Sequence, residues 1–184
     1  MRAVLDACVL FPTILREILT ETAASGLFRP LWSQRILDEW TGAALRLGPD
    51  QARIAGVEAA LLARRFPDAT ITGGDEAALR GLDLPDPADV HVLATALAGG
   101  AGVIVTANLR DFPRRALAAV GVRAIHPDPF LLDCLARDPQ AVQEAVAVTH
   151  ARALAAGGRM EVKPMLKQAR LPRLARAILP LAQT

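Results

Sequence analysis

Short β-rich runs alternate with helix-length amphipathic stretches over the first two-thirds of this chain, and that alternation leaves few folds open. Residues 2–6 read as a buried strand. Residues 12–25 read as a helix stopped by Gly26, with Ile14, Leu15, Ile18 and Leu19 on its apolar side. A second helix is expected over 34–47, with Ser33 as N-cap and Ile36, Leu37, Trp40, Ala43, Ala44 and Leu47 as its stripe; Glu39, three residues after Ile36 and four before Ala43, is expected to point toward the packed side. A third runs from Pro49, which suits a first helical turn, to Arg65. Short strands near 69–72, 102–106 and 122–125 bracket a helix from about Pro87 to Leu97 and another over 113–120. β and α units in this order imply an α/β fold whose mostly parallel sheet is joined by right-handed crossovers and flanked by helices.

The pattern changes after His126-Pro127. Residues 128–136, 139–156 and two stretches within 161–183 all read as helices, with Asp138 and Pro139 as an N-cap and first-turn pair. A boundary near residue 127 therefore separates an α/β core, residues 1–127, from an all-α C-terminal extension, residues 128–184. Phe130, Leu131, Leu132, Leu135, Val142, Val146 and Leu154 in the extension are expected to pack, as are Leu166, Leu171, Leu174, Ile178, Leu179 and Leu181 in the tail. Packing on the core and a surface for a dimer or partner are both open to them.

Charge is divided as unevenly as structure. Among 184 residues the net charge is +2, yet residues 151–184 carry seven basic residues against one acid, Glu161. A basic tail beside an acidic body fits a protein that handles a polyanion, and fits a solvated helix face as well. Nineteen of the 21 basic residues are Arg, the side chain that grips phosphate in pairs of hydrogen bonds. With no Tyr and 4% aromatics, any contact to bases would depend little on stacking. Two cysteines, Cys8 and Cys134, form neither a disulfide framework nor a metal-type spacing, which points to a reducing, cytoplasmic setting. The N-terminus moves directly into a strand-like run, with no visible signal peptide, and no stretch is clean enough to span a membrane.

Four acids fall where such a sheet delivers its strand ends: Asp6 in RAVLDACVL, Glu39 in SQRILDEW, Asp89 in LPDPADVHVLATAL and Asp111 in VTANLRDF. Ligands of open parallel sheets bind outside the carboxyl ends of the strands. Carboxylates meeting there repel unless a cation stands between them, and hard oxygen donors suit Mg²⁺ or Mn²⁺. Such a centre is the apparatus of phosphodiester hydrolysis. Each acid also has a plainer reading. Asp6 could cap a loop, Glu39 could be a surface helix residue, and Asp111 could cap the helix that follows. Asp86 competes with Asp89 as an N-cap residue, and chemistry alone does not choose between them. His91, His126 and His150 lack zinc-like spacing and read as structural. No GxGxxG, Walker A loop or nucleophile elbow is present. Cys8 stands where an aspartyl-phosphate phosphatase needs its second Asp.

The four segments VLDACVL, SQRILDEW, DPADVHVLATAL and VIVTANLRDF, in this order, resemble the PIN-domain ribonucleases, and among them the VapC-type toxins of bacterial toxin–antitoxin pairs. The resemblance covers roughly residues 2–126. The stretch HPDPFLLDCLARDPQAVQEAV resembles the helical extension of one PIN subfamily. The resemblance implies a Rossmann-like PIN domain with a divalent-metal pocket. Asp6 and Asp89 would be its principal Mg²⁺ (or Mn²⁺) ligands, and Asp111 and Glu39 would complete it directly or through waters. Thr106 and Asn108 would line it, with Asp86 behind, and Glu39 or Asp111 could take the proton of the attacking water. It further implies an endoribonuclease acting on tRNA or rRNA, a cognate antitoxin and a homodimer. Two departures bear on this. Asn108 stands where many relatives have an acid, which weakens a second metal site. Cys8 stands where a small polar residue is common, either as packing or as a soft ligand. Alternative functions on the same fold are a catalytically weak RNA-binding or regulatory module using the basic tail, and a nuclease of RNA maturation with no toxin role.

Overall fold

In the computed structural model, which describes residues 1–79, 81–82 and 84–178, five strands form one sheet in the order β3-β2-β1-β4-β5. The strands are β1 (Arg2–Leu5), β2 (Arg29–Ser33), β3 (Thr70–Ile71), β4 (Val103–Val105) and β5 (Arg123–Ile125), and all four pairings are parallel. Ala3, Val4, Leu5, Ile104 and Val105 in the two central strands are fully buried. That burial is why these strands read as unbroken apolar runs rather than alternating ones.

The chain falls into two compact units. The first comprises residues 1–11 and 29–125 and holds the sheet. Its helices are α1 (Ala7–Leu10), α3 (Gln34–Leu45), α4 (Pro49–Arg65), α5 (Val90–Ala98) and α6 (Arg114–Ala118). Ser33 caps α3 as expected, its hydroxyl accepting from Ile36 N–H at 3.3 Å. Helix α4 has the expected bounds, starting at Pro49. Leu47 departs from the expected stripe: α3 ends at Leu45 and Leu47 is exposed. Strand β2 and the single-turn helix α1 are additions to the expected elements.

Pro30 explains why β2 is hard to read. Side-by-side residues of a strand send their N–H groups to opposite neighbours. Arg29 donates to Met1 O in β1's direction and Trp32 donates to Ala69 O on the β3 side. The N–H that Pro30 lacks would point toward β3, which joins β2 only from Trp32 onward, at Trp32 and Ser33. The proline therefore removes no ladder bond.

The second unit comprises residues 12–28 and those from His126 onward. Here α2 (Thr13–Ala24) packs with α7 (Pro127–Arg137) and α8 (Pro139–Ala155), and α9 (Val162–Gln168) and α10 (Pro172–Ile178) complete the bundle. Asp138 caps α8 through Ala141 N–H at 3.0 Å, as expected. The buried carboxylate of Asp128 accepts from Arg173 and Leu174 N–H at 3.0 and 2.9 Å, so a side chain on α7 caps α10. Arg152 on α8 reaches Glu17 and Glu21 on α2. Phe28 and Phe130 meet edge to face at 4.9 Å. Leu166, Leu171, Leu174 and Ile178 are buried and Leu154 is exposed, while Leu179 and Leu181 lie outside the described residues. No helix among the described residues is long and apolar enough to cross a membrane.

Candidate active site

The strand order places a topological switch between β1 and β4: from β1 the chain builds β2 and β3 to one side, and β4 and β5 lie on the other. The crevice outside the carboxyl ends of these two strands is where an open parallel sheet binds ligands. Asp6 follows β1 and Thr106 follows β4 at this point.

Asp6 is fixed by its backbone. Its N–H extends the β1–β4 ladder to Val105 O at 3.1 Å, and its carbonyl accepts from Val9 and Leu10 to start α1. The side chain is buried, and Oδ2 accepts from Thr106 Oγ1 at 2.7 Å and Cys8 Sγ at 3.0 Å. Among the described residues Oδ1 accepts no hydrogen bond, so one carboxylate oxygen is anchored and the other is left for an incoming group. Thr106 is fully buried and its hydroxyl also accepts from Asn108 N–H at 3.0 Å. Cys8 closes the same loop by accepting from Ala107 N–H at 3.2 Å. Burial, then the adjacent Asp6 charge, push the Cys8 thiol up to about 12. The thiol thus stays protonated and serves Asp6 as a hydrogen-bond donor.

Asp86 and Asp89 separate by role. Asp86 caps the 3-10 turn Pro87–Asp89, accepting from Ala88 N–H at 2.8 Å. Asp89, at the start of α5, makes no capping bond. Its carboxyl is pushed up to about 7, first by burial, then by the charges of Asp111, Asp6 and Asp86 and a hydrogen bond with Asp111. Four carboxylates therefore share one electrostatic environment. Asp111 closes the 3-10 turn Leu109–Asp111 and accepts from the Asn108 side-chain amide. It does not cap α6, which begins after Pro113. Asn108 supplies a neutral donor to a neighbouring carboxylate at the place where an acid would add repulsion.

Glu39 differs from expectation. The buried residues of α3 are Ile36, Leu37, Trp40 and Ala44, and position 39 falls on the rim of that stripe. Its side chain is 39% exposed rather than turned into the packing. It lies 3.6 Å from Arg35 Nε and 2.8 Å from His91 Nε2. The approach to His91 is short but poorly aligned, and neither ring nitrogen of this buried imidazole makes a hydrogen bond among the described residues. Burial dominates the lowering of His91 to about 4, so the ring is neutral near pH 7. Burial also raises Glu39, with Asp6 adding to the effect and Arg35 opposing it.

Arg35 is the residue sequence reasoning missed, and His91 the one it set aside as structural. The Arg35–Glu39 pair carries the (i, i+4) spacing of a helix ion pair, which is legible in SQRILDEW. Arg35 also bonds Glu76 and the carbonyl of Ala88, tying the loop before Asp89 to α3. His91 shares the otherwise apolar helix α5 with one other polar residue, Thr95, and nothing local marks it as part of the site.

All donors in this constellation are hard oxygens, the set that suits Mg²⁺ or Mn²⁺, and their mutual repulsion is what a cation would relieve. Among the described residues, no three His, Cys, Asp or Glu side chains form a ready-made metal cage. Fit therefore rests on donor chemistry and charge.

Residues 2–110 match the family model described as PIN domain. Over 47 residues the chain is 55% identical to "Putative ribonuclease VapC50" of Mycobacterium tuberculosis (strain ATCC 25618 / H37Rv), a segment covering 26% of this chain and 28% of that protein. The chain thus spans under a third of that relative's length in the match. No solved structure matches the chain.

Proposed function

The chain belongs to the PIN-domain family, and we propose that it acts as a divalent-metal-dependent endoribonuclease, the toxin of a toxin–antitoxin pair. The observation that carries this reading is the set of acids at the switch point, Asp6, Asp86, Asp89 and Asp111, where burial first and then the three neighbouring charges push the Asp89 carboxyl up to about 7. The ribonuclease name of the VapC50 relative supports the substrate class.

Asp6 and Asp89 would hold the metal, with Asp111 and Glu39 joining directly or through waters. When bound, Mg²⁺ or Mn²⁺ would supply a water of lowered pKa and neutralise charge on the reacting phosphate. The chain's own residues prepare that chemistry. Thr106 and Cys8 fix the orientation of Asp6 through Oδ2. Asn108 orients Asp111. Glu39 is the better proton acceptor of the two open to that role: Asp111 is engaged by Asn108 and Asp89, whereas burial raises Glu39 toward the range of a useful base. By family resemblance the substrate is tRNA or rRNA, the inhibitor is a cognate antitoxin and the toxin is a homodimer; the free thiols of Cys8 and Cys134 support a reducing, cytoplasmic setting.

The test is cleavage of total RNA by purified protein with Mg²⁺ or Mn²⁺ and with EDTA, beside an Asp6→Ala/Asp89→Ala variant. Discrete, metal-dependent fragments lost in the variant are expected. RNA binding without cleavage, surviving loss of the carboxylates, would replace the nuclease with a binding module. Growth arrest on expression, relieved by Asp6→Ala, tests the toxin role separately.

A further inference from the structure

At the opposite edge of the sheet, the amino-terminal ends of β1, β2 and β3 border a second cavity, of about 570 Å³. Arg2 and Arg29 open β1 and β2 side by side in register, and Arg65 comes from the last turn of α4. All three line the cavity with Phe66, Asp68 and Gly99. The volume is that of a small-molecule site. From this geometry we infer a nucleotide-binding site at this edge, taking the phosphate of a nucleoside 5′-monophosphate or of an RNA 5′ end on the arginines and its base on Phe66.

The Arg2 guanidinium donates to Gly99 O at 3.1 Å, where α5 ends. The next residue, Gly100, has φ +61°, and a Cβ there would stand 3.1 Å from Arg2 Nη1. Arg2 is thereby held with further donors to spare, and a guanidinium presents five N–H groups in a planar fork suited to phosphate. Three arginines and one carboxylate, Asp68, line this cavity, whereas carboxylates dominate the switch point of the same unit. Field lines focus in such a concave site.

The half-buried Phe66 supplies a flat apolar surface. Its ring meets the fully buried Trp32 edge to face at 6.1 Å, and Trp32 is itself anchored by donating from Nε1 to Thr70 Oγ1. The Arg65 guanidinium lies over the Phe66 ring, 5.4 Å from its centre, so a base taking that face would displace the guanidinium toward its phosphate. An aromatic ring beside an arginine fork is the pairing that stacks a base while neutralising its phosphate. Asp68 offers an acceptor for ribose hydroxyls or an exocyclic amine.

This inference stands independently of the nuclease reading. It is tested by calorimetric titration of the full chain in EDTA with adenosine and guanosine 5′-monophosphates, the corresponding nucleosides and inorganic phosphate. Saturable binding of the monophosphates is expected, weaker for phosphate and nucleoside alone. Arg29→Ala/Arg65→Ala, both at exposed positions, should weaken it at least tenfold, Phe66→Leu about tenfold, and 0.5 M salt strongly. Asp89→Asn should leave it unchanged. A 5′-phosphorylated hexanucleotide binding more tightly than the monophosphate would identify an RNA end as the ligand; equal binding would identify free nucleotide. Absence of saturable binding at millimolar nucleotide by folded protein would overturn the site, as would undiminished binding by the double arginine variant or loss of binding in Asp89→Asn.

Discussion

Replacing Asp89 with Asn should make the metal-free protein more stable while disabling it. The Asp89 carboxyl is raised from its ordinary 3.8 to about 7, a gap equivalent to about 4 kcal/mol if nothing screened it. Asp89 is only half-buried, so solvent screening reduces the realisable effect to roughly 1–2 kcal/mol. The sign follows from where the proton sits. Below about pH 4 both folded and unfolded chains hold it, and the site contributes nothing. Between pH 4 and 7 the folded state holds a proton that the unfolded state has released, so wild-type stability falls as pH rises. Above pH 7 the loss is complete. Asn carries no such proton, so the advantage of Asp89→Asn should grow from near zero at pH 4 to its full value at pH 8. In urea melts with EDTA at pH 4.5, 6 and 8, that is a midpoint gain of about 0.5–1 M at pH 8 for a slope near 2 kcal/mol/M. Mn²⁺ should reverse the order, because a ligand at 100 times its Kd stabilises the wild type by about 2.7 kcal/mol. A variant no more stable than wild type at pH 8 in EDTA would refute the reasoning, and so would a gain that does not depend on pH.

Further outcomes follow from other contacts. Thr106→Val should cost about 2–4 kcal/mol in chemical denaturation, since it removes a 2.7 Å donor to a buried carboxylate and strands the Asn108 N–H; Thr106→Ser should cost only about 1 kcal/mol, and equal losses would show that packing dominates instead. With its thiol at about 12, native Cys8 should react with iodoacetamide at pH 8.5 roughly 100-fold slower than the unfolded chain; rapid labelling read by mass spectrometry would contradict the protonated, bonded state. Asp128→Ala removes two capping bonds from α10 and should cost about 1–2 kcal/mol and open the segment after residue 170 to protease; an unchanged digestion pattern would mean that burial of Leu171, Leu174 and Ile178 holds the helix without its cap.

Sequence patterns conveyed the architecture because both central strands are buried on each face and so appear as uninterrupted apolar runs. Caps at Ser33 and Asp138 were legible for a local reason: the bonding partner lies three residues away. β2 was hidden because Arg29-Pro30-Leu31-Trp32-Ser33 neither alternates nor avoids proline, and its proline is tolerated only by the stagger of β3. The roles of Asp86 and Asp89 could not be assigned from spacing. Both precede α5, and which one caps depends on backbone angles that local composition leaves open. Glu39 was read into the packed face because its neighbours at 36 and 43 are apolar, yet the stripe runs through 36, 40 and 44. The bond from Cys8 to Asp6 is local, but Cys8 is also held by Thr106 and Ala107, about a hundred positions away, and no local pattern can announce such partners.

The second unit is discontinuous in the chain: it takes residues 12–28 and then waits for everything after residue 125. During synthesis, α2 leaves the ribosome with Leu15, Ile18 and Leu19 ready for burial, but α7 and α8 do not yet exist. At roughly 5–20 residues per second, the intervening stretch takes on the order of 5–20 s to make. For that interval an apolar helix near the N-terminus has no native docking surface within its own unit. A nascent chain stalled near residue 125 should therefore be a chaperone client, and a stop codon there would leave α2 orphaned rather than release a finished α/β unit.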